Sequence, residues 1–282
     1  MKITVLSLFP EILRGFFESS IMAKSVERGL MSYELVNVRD YATDKHHKCD
    51  DLTFGGGAGM LMLPAPLSRA LAAVGAAPRE GTGDGVPSAG KRVVYVTPSG
   101  RLFNQAMAAD FARESELVLV CGRYEGVDQR VIDRYVTDEV SVGDYVLSSG
   151  EVAALVLVDA VYRLVPGVIS GESLLEESFT SATDEGGSGG PSGPIGPGLL
   201  EYPQYTRPAM YDNLPVPEVL TSGHHANIVR WRLRESIKKT LMYRPELLAT
   251  EGLPPEVRKL LSEIITEGGR DEPYTENPGA SD

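Results

Sequence analysis

The sequence predicts an α/β fold with a mainly parallel sheet, followed by a small, mostly helical C-terminal domain. Over about the first 170 residues, short apolar runs alternate with helix-like stretches. This alternation is typical of parallel strands joined by crossover helices. A segment rich in Gly, Pro and Ser then interrupts the pattern at residues 181–198, and a long helical pattern and a shorter one follow it.

Each element is predicted from a local pattern. The strands are apolar runs bounded by turn-forming residues, at residues 2–8, 33–38, 92–97, 116–121 and 136–142. The helices of the first domain are predicted at residues 10–27, with a break near Gly15, and at 64–74, 103–113, 127–134 and 151–162. Two more helices are predicted at residues 225–243, before the helix-disfavouring Arg244-Pro245 step, and at 255–267.

The composition divides the chain into four predicted segments. They are a sheet domain over residues 1–170, a flexible linker or lid over 171–198, a helical domain over 199–267 and a frayed acidic tail over 268–282. The Gly-, Pro- and Ser-rich part of the linker cannot bury enough apolar surface to offset the entropy of ordering it. Residues 76–91, rich in Gly, Pro and Ala, are predicted to be an exposed insertion.

Charge and cysteine usage exclude several classes of protein. The net charge of −12, from 27 basic and 39 acidic residues, argues against a general polyanion binder but permits a local basic surface. No apolar run is long enough to span a membrane, and the apolar start before Pro10 is too short for a signal peptide. The two cysteines, Cys49 and Cys121, are far apart, which favours a reducing cytoplasm.

Three loops rich in small residues follow predicted strands, at residues 95–100, 122–126 and 141–150. Glycine lets the backbone approach a ligand closely, and ligands of parallel sheets bind where strands lead into helices. Side by side, the loops could enclose a nucleoside, with Tyr124 and Tyr145 as aromatic walls. Each loop alone is equally consistent with an ordinary strand-to-helix turn.

Two other patterns do not predict a site. The glycine run at residues 55–59 is similar to a phosphate-binding loop but lacks the Gly-Lys-Ser/Thr ending. His46, His47 and Cys49 are close in sequence, but no second cluster of cysteine or histidine exists to complete a zinc site. We therefore predict neither a nucleoside triphosphate site nor a metal.

A family resemblance is carried by motifs spread over nearly the whole chain. Among them are Asp44-Lys-His46, Phe54-Gly-Gly-Gly-Ala-Gly-Met60, Gly122-Arg-Tyr-Glu-Gly-Val-Asp-Gln-Arg130, Val142-Gly-Asp-Tyr-Val-Leu147, Tyr205-Thr-Arg-Pro208 and Ser222-Gly-His224. In this order they resemble the bacterial tRNA (guanine-N1)-methyltransferase family, often called TrmD, in the SPOUT class of knotted methyltransferases.

The resemblance implies methyl transfer from S-adenosyl-L-methionine to N1 of guanosine 37, next to the anticodon of a tRNA. It implies a deep trefoil knot, an exception to the rule that chains are unknotted. The partners implied are tRNA and a second copy of the chain in an obligate homodimer, with no membrane or DNA. The implied cofactor contacts are Tyr95, Val96, Thr97, Pro98, Ser99, Gly122, Arg123, Tyr124, Glu125, Gly126, Ser141, Val142, Gly143, Asp144, Tyr145, Val146 and Leu147.

The catalytic residues implied by the resemblance are Glu177 and Arg163. Guanine N1 becomes nucleophilic only after losing its proton, so a carboxylate would act as general base and a cation would stabilise charge at O6. Glu177 stands where the family usually has aspartate. The alternatives are a solvated pair of Glu176 with Glu177, Asp184 as a second candidate base, and a solvated helix terminus at Arg163.

A basic stripe is predicted on the first helix of the second domain. Its residues, Arg230, Arg234 and Lys238, recur every four positions and therefore lie on one face of the helix. A solvated charged face is the alternative. Through the resemblance, the residues implied to contact tRNA are His46, Asp50 and Gly59 in the first domain and Arg230, Arg234 and Lys238 in the second.

At several positions the sequence differs from the pattern usual in the family, so two alternative functions remain open. Ser99 stands where glutamine is more frequent, Phe54 replaces a frequent tyrosine, and residues 182–197 lengthen the linker. One alternative is a methyltransferase of the same class acting at another RNA site. The other is a non-catalytic RNA-binding protein that has kept the knot.

Overall fold

The computed structural model describes residues 1–79, 91–171, 177–179, 198–249 and 253–268. Contacts divide the chain into two compact units, Met1–Ser170 and Gly171–Asp282. The finer division of the second unit into linker, helical domain and tail stays a prediction.

Unit 1 alternates strands and helices, as predicted. Its elements are β1 (Lys2–Ser7), α1 (Glu11–Phe17), α2 (Ser20–Glu27), β2 (Ser32–Asn37), a 3-10 helix (Val38–Tyr41), β3 (Asp50–Leu52), β4 (Met60–Met62), α3 (Pro64–Ala73), β5 (Arg92–Leu102), α4 (Gln105–Phe111), β6 (Glu116–Cys121), α5 (Gln129–Tyr135), β7 (Asp138–Ser141) and α6 (Gly150–Tyr162).

The described part of unit 1 forms a five-stranded sheet in the order β2-β1-β6-β5-β7, and all four pairings are parallel. The predicted α/β fold with a mainly parallel sheet is therefore confirmed. Alternate residues of each strand enter different cores, as the two-residue period of a strand requires. In β5, Val94 and Val96 pack with α1, α2, α4 and α6, while Val93 and Tyr95 pack with α3 and α5.

Unit 2 is mostly helical in the residues described. It contains the short hairpin strands β8 (Met210–Tyr211) and β9 (Leu214–Pro215), α7 (Glu218–Thr221), α8 (His225–Tyr243), a 3-10 helix (Pro245–Leu248) and α9 (Pro255–Gly268). Its core is formed by Leu199, Tyr202, Leu233, Ile237, Leu248, Val257, Leu260 and Ile264. The bounds predicted for α8 are confirmed, and α9 is one residue longer than predicted.

Several boundaries predicted from sequence are wrong, including those of the first helical region, α4 and β5. The first helical region breaks at Ser19, whose extended backbone (φ −127°, ψ 157°) precedes α2, and Gly15 lies inside α1. Helix α4 begins at Gln105 rather than at residue 103, because the Asn104 side chain accepts a hydrogen bond from Met107 N (3.0 Å). Strand β5 continues to Leu102 instead of ending at residue 97.

The glycine run at residues 55–59 lies between the antiparallel strands β3 and β4, a hairpin that was not predicted. The hairpin was missed because three-residue strands carry too little alternation to detect. Its tip presents Phe54, whose side chain is fully exposed.

Candidate active site

The three small-residue loops converge at one edge of the sheet, because β6, β5 and β7 are neighbours and parallel. They line a cavity of about 270 Å³ in unit 1. This volume is close to the lower end of the range for small-molecule sites. The position agrees with the general rule that ligands bind at the carboxyl ends of parallel strands.

The first loop is an excursion within a strand. Val140 of β7 pairs with Val96 and also with Arg101, so residues 97–100 leave the ladder and β5 then resumes. At Gly100, a Cβ atom would overlap the backbone nitrogen of Val140. Only glycine therefore allows the strand to resume so close to its neighbour.

The third loop passes close to the second. Gly150 N donates a hydrogen bond to Gly122 O (3.0 Å), and a Cβ on Gly150 would lie 2.7 Å from Gly122 N. The backbone of the third loop thus lies directly against the start of the second. A side chain at Gly150 would force the two loops apart.

Aromatic side chains form part of the cavity wall. Tyr95 is nearly buried in it, and this burial raises the pKa of its phenol. Tyr145 is about half exposed and donates a hydrogen bond to Val142 O (3.0 Å). Tyr124 is also half exposed and has a left-handed backbone (φ 58°), a costly conformation for a non-glycine residue that is common at functional sites.

Of the seventeen residues predicted to contact a cofactor, fifteen line the cavity. Ser99 and Asp144 do not, and the Ser99 hydroxyl lies 3.0 Å from that of Thr97. Their assignment as cofactor contacts stays a prediction. Five further residues line the cavity and were not predicted as cofactor contacts: Val140, Ser148, Ser149, Gly150 and Ala153. Three of these five, Ser148, Ser149 and Gly150, form the small-residue end of the third loop, and this composition could have identified them from the sequence.

The hairpin β3–β4 is bound to the second loop. Met62 N donates to Gly126 O (2.9 Å), and Glu125 N donates to Met60 O (3.0 Å). Gly59, predicted to lie on the substrate side, contacts Glu125 so closely that a Cβ would overlap the glutamate. The structure therefore places Gly59 against Glu125, which lines the cavity, although Gly59 itself is not part of the lining. Asp50 lies in β3, and the exposed His46 donates its backbone N–H to Asp44.

The predicted catalytic residues lie in different units. Arg163 directly follows α6 in unit 1, and Glu177 lies in unit 2; both are half-buried. The residues after Glu177 are anchored within unit 2, where Glu201 N donates to Ser178 Oγ (2.9 Å) and Phe179 N donates to Leu199 O (3.1 Å). Glu176 and Asp184, the other carboxylates considered, lie outside the described residues.

The predicted basic stripe on α8 is ion-paired. Arg230 lies 3.3 Å from Glu263 and Arg234 contacts Glu267, both on α9. Lys238 lies 2.8 Å from Glu235 on its own helix. All three cations are at least partly exposed, so a phosphate could reach them after displacing a carboxylate.

Neither a metal cluster nor a membrane-spanning helix occurs in the part of the chain that the structure describes. Its His, Cys, Asp and Glu side chains form no group of three or more that is arranged to hold a metal ion. None of its helices has the length and apolar character needed to cross a membrane.

Comparisons with known proteins agree along most of the chain. Residues 1–250 match the family model described as tRNA (Guanine-1)-methyltransferase TrmD. A tRNA (guanine-N(1)-)-methyltransferase of Treponema denticola is 58% identical over 248 residues, 88% of this chain and 90% of the relative. The enzyme of the same name from Treponema pallidum is 52% identical over 268 residues, 94% and 96%. That of Borreliella burgdorferi is 51% identical over 247 residues, 88% and 92%.

Proposed function

Because this chain belongs to the tRNA (guanine-N1)-methyltransferase family and is therefore a methyltransferase acting on guanine N1 of tRNA, we propose how it does so. The methyl donor is S-adenosylmethionine, bound in the cavity of unit 1. The acceptor is guanosine 37 of the tRNA, and the reaction takes place in the cytoplasm.

The observation that supports donor binding is the cavity enclosed by three loops at the ends of neighbouring parallel strands. Its residues fit a nucleoside with a charged tail: backbone groups approach closely where glycines meet, aromatic rings line the wall, and one cation, Arg123, lies in the lining. When bound, the donor supplies an electrophilic methyl group on a sulfonium. The fifteen predicted residues in the lining would hold it, by backbone and side-chain contacts.

The proposed knot is supported by the same close approaches. Gly100 lies against β7 and Gly150 against the second loop, with no room for a side chain at either contact. Loops that pass each other at backbone distance are what a threaded chain requires. The SPOUT class to which the family belongs is expected to have this knot.

Glu177 is proposed to remove the N1 proton of the guanine, and Arg163 to stabilise the negative charge that develops towards O6. Methyl transfer from a sulfonium is an in-line displacement, so the protein contributes chiefly position and activation of the acceptor. General bases typically contribute about 10²–10⁴-fold in rate. Glu177 keeps the carboxylate of the family's aspartate and adds one methylene to its reach.

The tRNA is proposed to contact both units. In unit 1 the contacts are His46, Asp50 and Gly59, beside or within a hairpin that is hydrogen-bonded to the second cavity loop. In unit 2 they are the exposed cations of α8, which suit phosphates of the RNA backbone. These are Arg230, Arg234 and Lys238.

The proposed assembly is a homodimer. Ile12 on α1 and Val152 and Val156 on α6 are 45–47% exposed. Helices α1 and α6 contact each other, and Val152 and Val156 lie one turn apart on the same face. Apolar side chains exposed together on neighbouring helices are typical of an interface with a protein partner.

The test is a methyl-transfer assay with tRNA transcripts that contain or lack guanosine at positions 36 and 37. We expect N1-methylguanosine only when both are present. Methylation at another nucleotide would favour a methyltransferase of the same class with a different RNA site. Absence of product from folded protein that binds the donor would favour a non-catalytic RNA-binding protein.

A further inference from the structure

A glutamate that the proposed reaction does not use is completely buried beside the cavity. Glu151, the second residue of α6, has no exposed surface. Its Oε1 atom accepts a hydrogen bond from the Ser7 hydroxyl at the end of β1 (2.5 Å). Among the described residues, its Oε2 atom has no hydrogen-bond partner.

Burial of this carboxylate is costly, and packing alone does not account for it. Removing a carboxylate from water is strongly unfavourable, and apolar replacements of buried ion pairs are often as stable or more stable. The positive end of α6 compensates part of the cost. Nearby, burial raises the pKa of the Cys121 thiol, and the charge of Glu151 raises it further. Cys121 is the last residue of β6, and a Cβ atom on Gly150 would lie 2.9 Å from its Cα atom, so the start of α6 lies against the start of the second loop.

Of the residues that the structure describes, the cation paired with this carboxylate is Arg123, with its Nη1 atom 3.9 Å from Oε2. Arg123 lines the cavity and joins two of its loops, because it lies in the second loop and donates to the carbonyl of Ser148 in the third (3.3 Å). Its guanidinium carbon also lies 4.7 Å from the centre of the Phe9 ring. Phe9, Ser148 and Glu151 thus surround one guanidinium group.

We propose that Glu151 is a positioning residue whose buried charge holds Arg123 between Phe9 and Ser148 and so keeps the second and third loops in the donor-binding arrangement. Glu151 is absent from the cavity lining and acts on the donor only through Arg123. The inference rests on the proposed function, because it concerns the site of the same donor.

The decisive variant is Glu151→Gln, which keeps the shape and the acceptor for Ser7 and removes the charge. We expect the dissociation constants of S-adenosylmethionine and S-adenosylhomocysteine, measured by calorimetry on the full chain, to rise about tenfold. The KM for the donor should rise similarly, with a smaller change in kcat. Arg123→Met should weaken binding as well, and the double variant should bind no worse than Arg123→Met alone, since both changes break one interaction.

Asp138→Asn is the matched control. Asp138 is another mostly buried carboxylate paired with an arginine, Arg92 (2.9 Å), but it begins β7, whereas the cavity lies beyond the ends of the strands. The Asp138→Asn variant should have a lower melting temperature than the wild type and the same affinity for the donor. A purely structural role of Glu151 would give the same result as this control.

The outcomes separate the two proposals. If the wild-type chain binds neither donor nor product, the proposed function fails. If the wild-type chain binds and folded Glu151→Gln binds equally well, the positioning role is overturned. Should Glu151→Gln not fold, Phe9→Leu removes the ring beside the guanidinium without changing the cavity lining. Weakened donor binding in that variant supports the role, and unchanged binding rejects it.

Discussion

Gly59 of the hairpin lies against Glu125 of the cavity so closely that a Cβ atom on the glycine would overlap the glutamate side chain. The contact joins the segment proposed to face the tRNA to a loop proposed to hold the donor. Two backbone hydrogen bonds between the hairpin and residues 125 and 126 support the same connection.

We therefore expect Gly59→Ala to weaken donor binding, because the new methyl group displaces Glu125. Gly55→Ala is the matched control. Both glycines have positive φ (93° and 88°), so both variants carry similar backbone strain, but a Cβ on Gly55 has no atom within 4 Å. Calorimetry should show about a tenfold higher dissociation constant for Gly59→Ala alone. Equal affinities for the two variants would show that the contact does not affect the donor site.

Replacement of the proposed general base tests the chemistry. Glu177→Ala should lower the single-turnover rate at saturating tRNA and donor by at least ~100-fold, the usual size of a general-base contribution. Glu177→Asp, which restores the side chain usual in the family, should retain most of the rate. Donor affinity should stay unchanged in both. Turnover of the alanine variant at the wild-type rate would remove Glu177 from the mechanism.

The ion pairs between α8 and α9 predict how charge changes alter RNA binding. Glu263→Gln and Glu267→Gln release Arg230 and Arg234 from their carboxylates, so tRNA affinity at low salt should rise by up to about fivefold per pair, the usual range for exposed pairs. Glu256→Gln, at the start of the same helix, makes the same charge change away from these arginines. If Glu256→Gln raised tRNA affinity as much as the other two variants, the gain would reflect only the change in net charge and not the release of the arginines.

Removal of Arg230 and Arg234 should have the opposite effect. If both bind phosphates, the double variant with glutamine should bind tRNA more weakly. Its plot of log K against log salt should be shallower by ~0.7–0.9 for each phosphate that the variant no longer neutralises. The measurement is tRNA affinity over a series of salt concentrations. An unchanged slope would place the RNA on another surface.

The ion pair of Asp138 with Arg92 predicts a pH-dependent stability. Burial opposes ionisation of Asp138, but hydrogen bonds from Arg92 and Thr137 outweigh it and lower its pKa. A lowered pKa means that the unfolded chain takes up the proton first as pH falls. The stabilisation is therefore complete above the unfolded pKa of about 3.9 and is lost as pH falls through the lower folded value.

Asp138→Asn should therefore lower the free energy of unfolding by about 1–3 kcal/mol at neutral pH. The difference from wild type should stay constant from pH 7 to about 5 and shrink below about pH 4, where the carboxyl of the unfolded chain is protonated. Urea unfolding at several pH values measures it. A difference that persisted at the acid end would mean that ionisation of this carboxyl is not the cause.

Local patterns in the sequence were sufficient to predict the fold class and most of the strands and helices. The bounds of β6 and of α8 were predicted to the residue, because an apolar run bounded by polar residues and a long stretch closed by a Pro step each depend only on neighbours in the chain. The three small-residue loops were also identified, since glycine and serine at strand ends are visible without any knowledge of pairing.

The tertiary structure decided what depends on residues distant in sequence. Strand β5 resumes after its loop because Val140 offers it a second partner, and the glycine run forms a hairpin because Asp50 and Met62 pair across it. The burial of Glu151 depends on Ser7, 144 positions earlier. A periodic pattern shows which face of an element is buried, but not which distant side chains meet there. For this reason the sequence alone predicted most of the cavity lining, and the fold was needed to find the charge behind it.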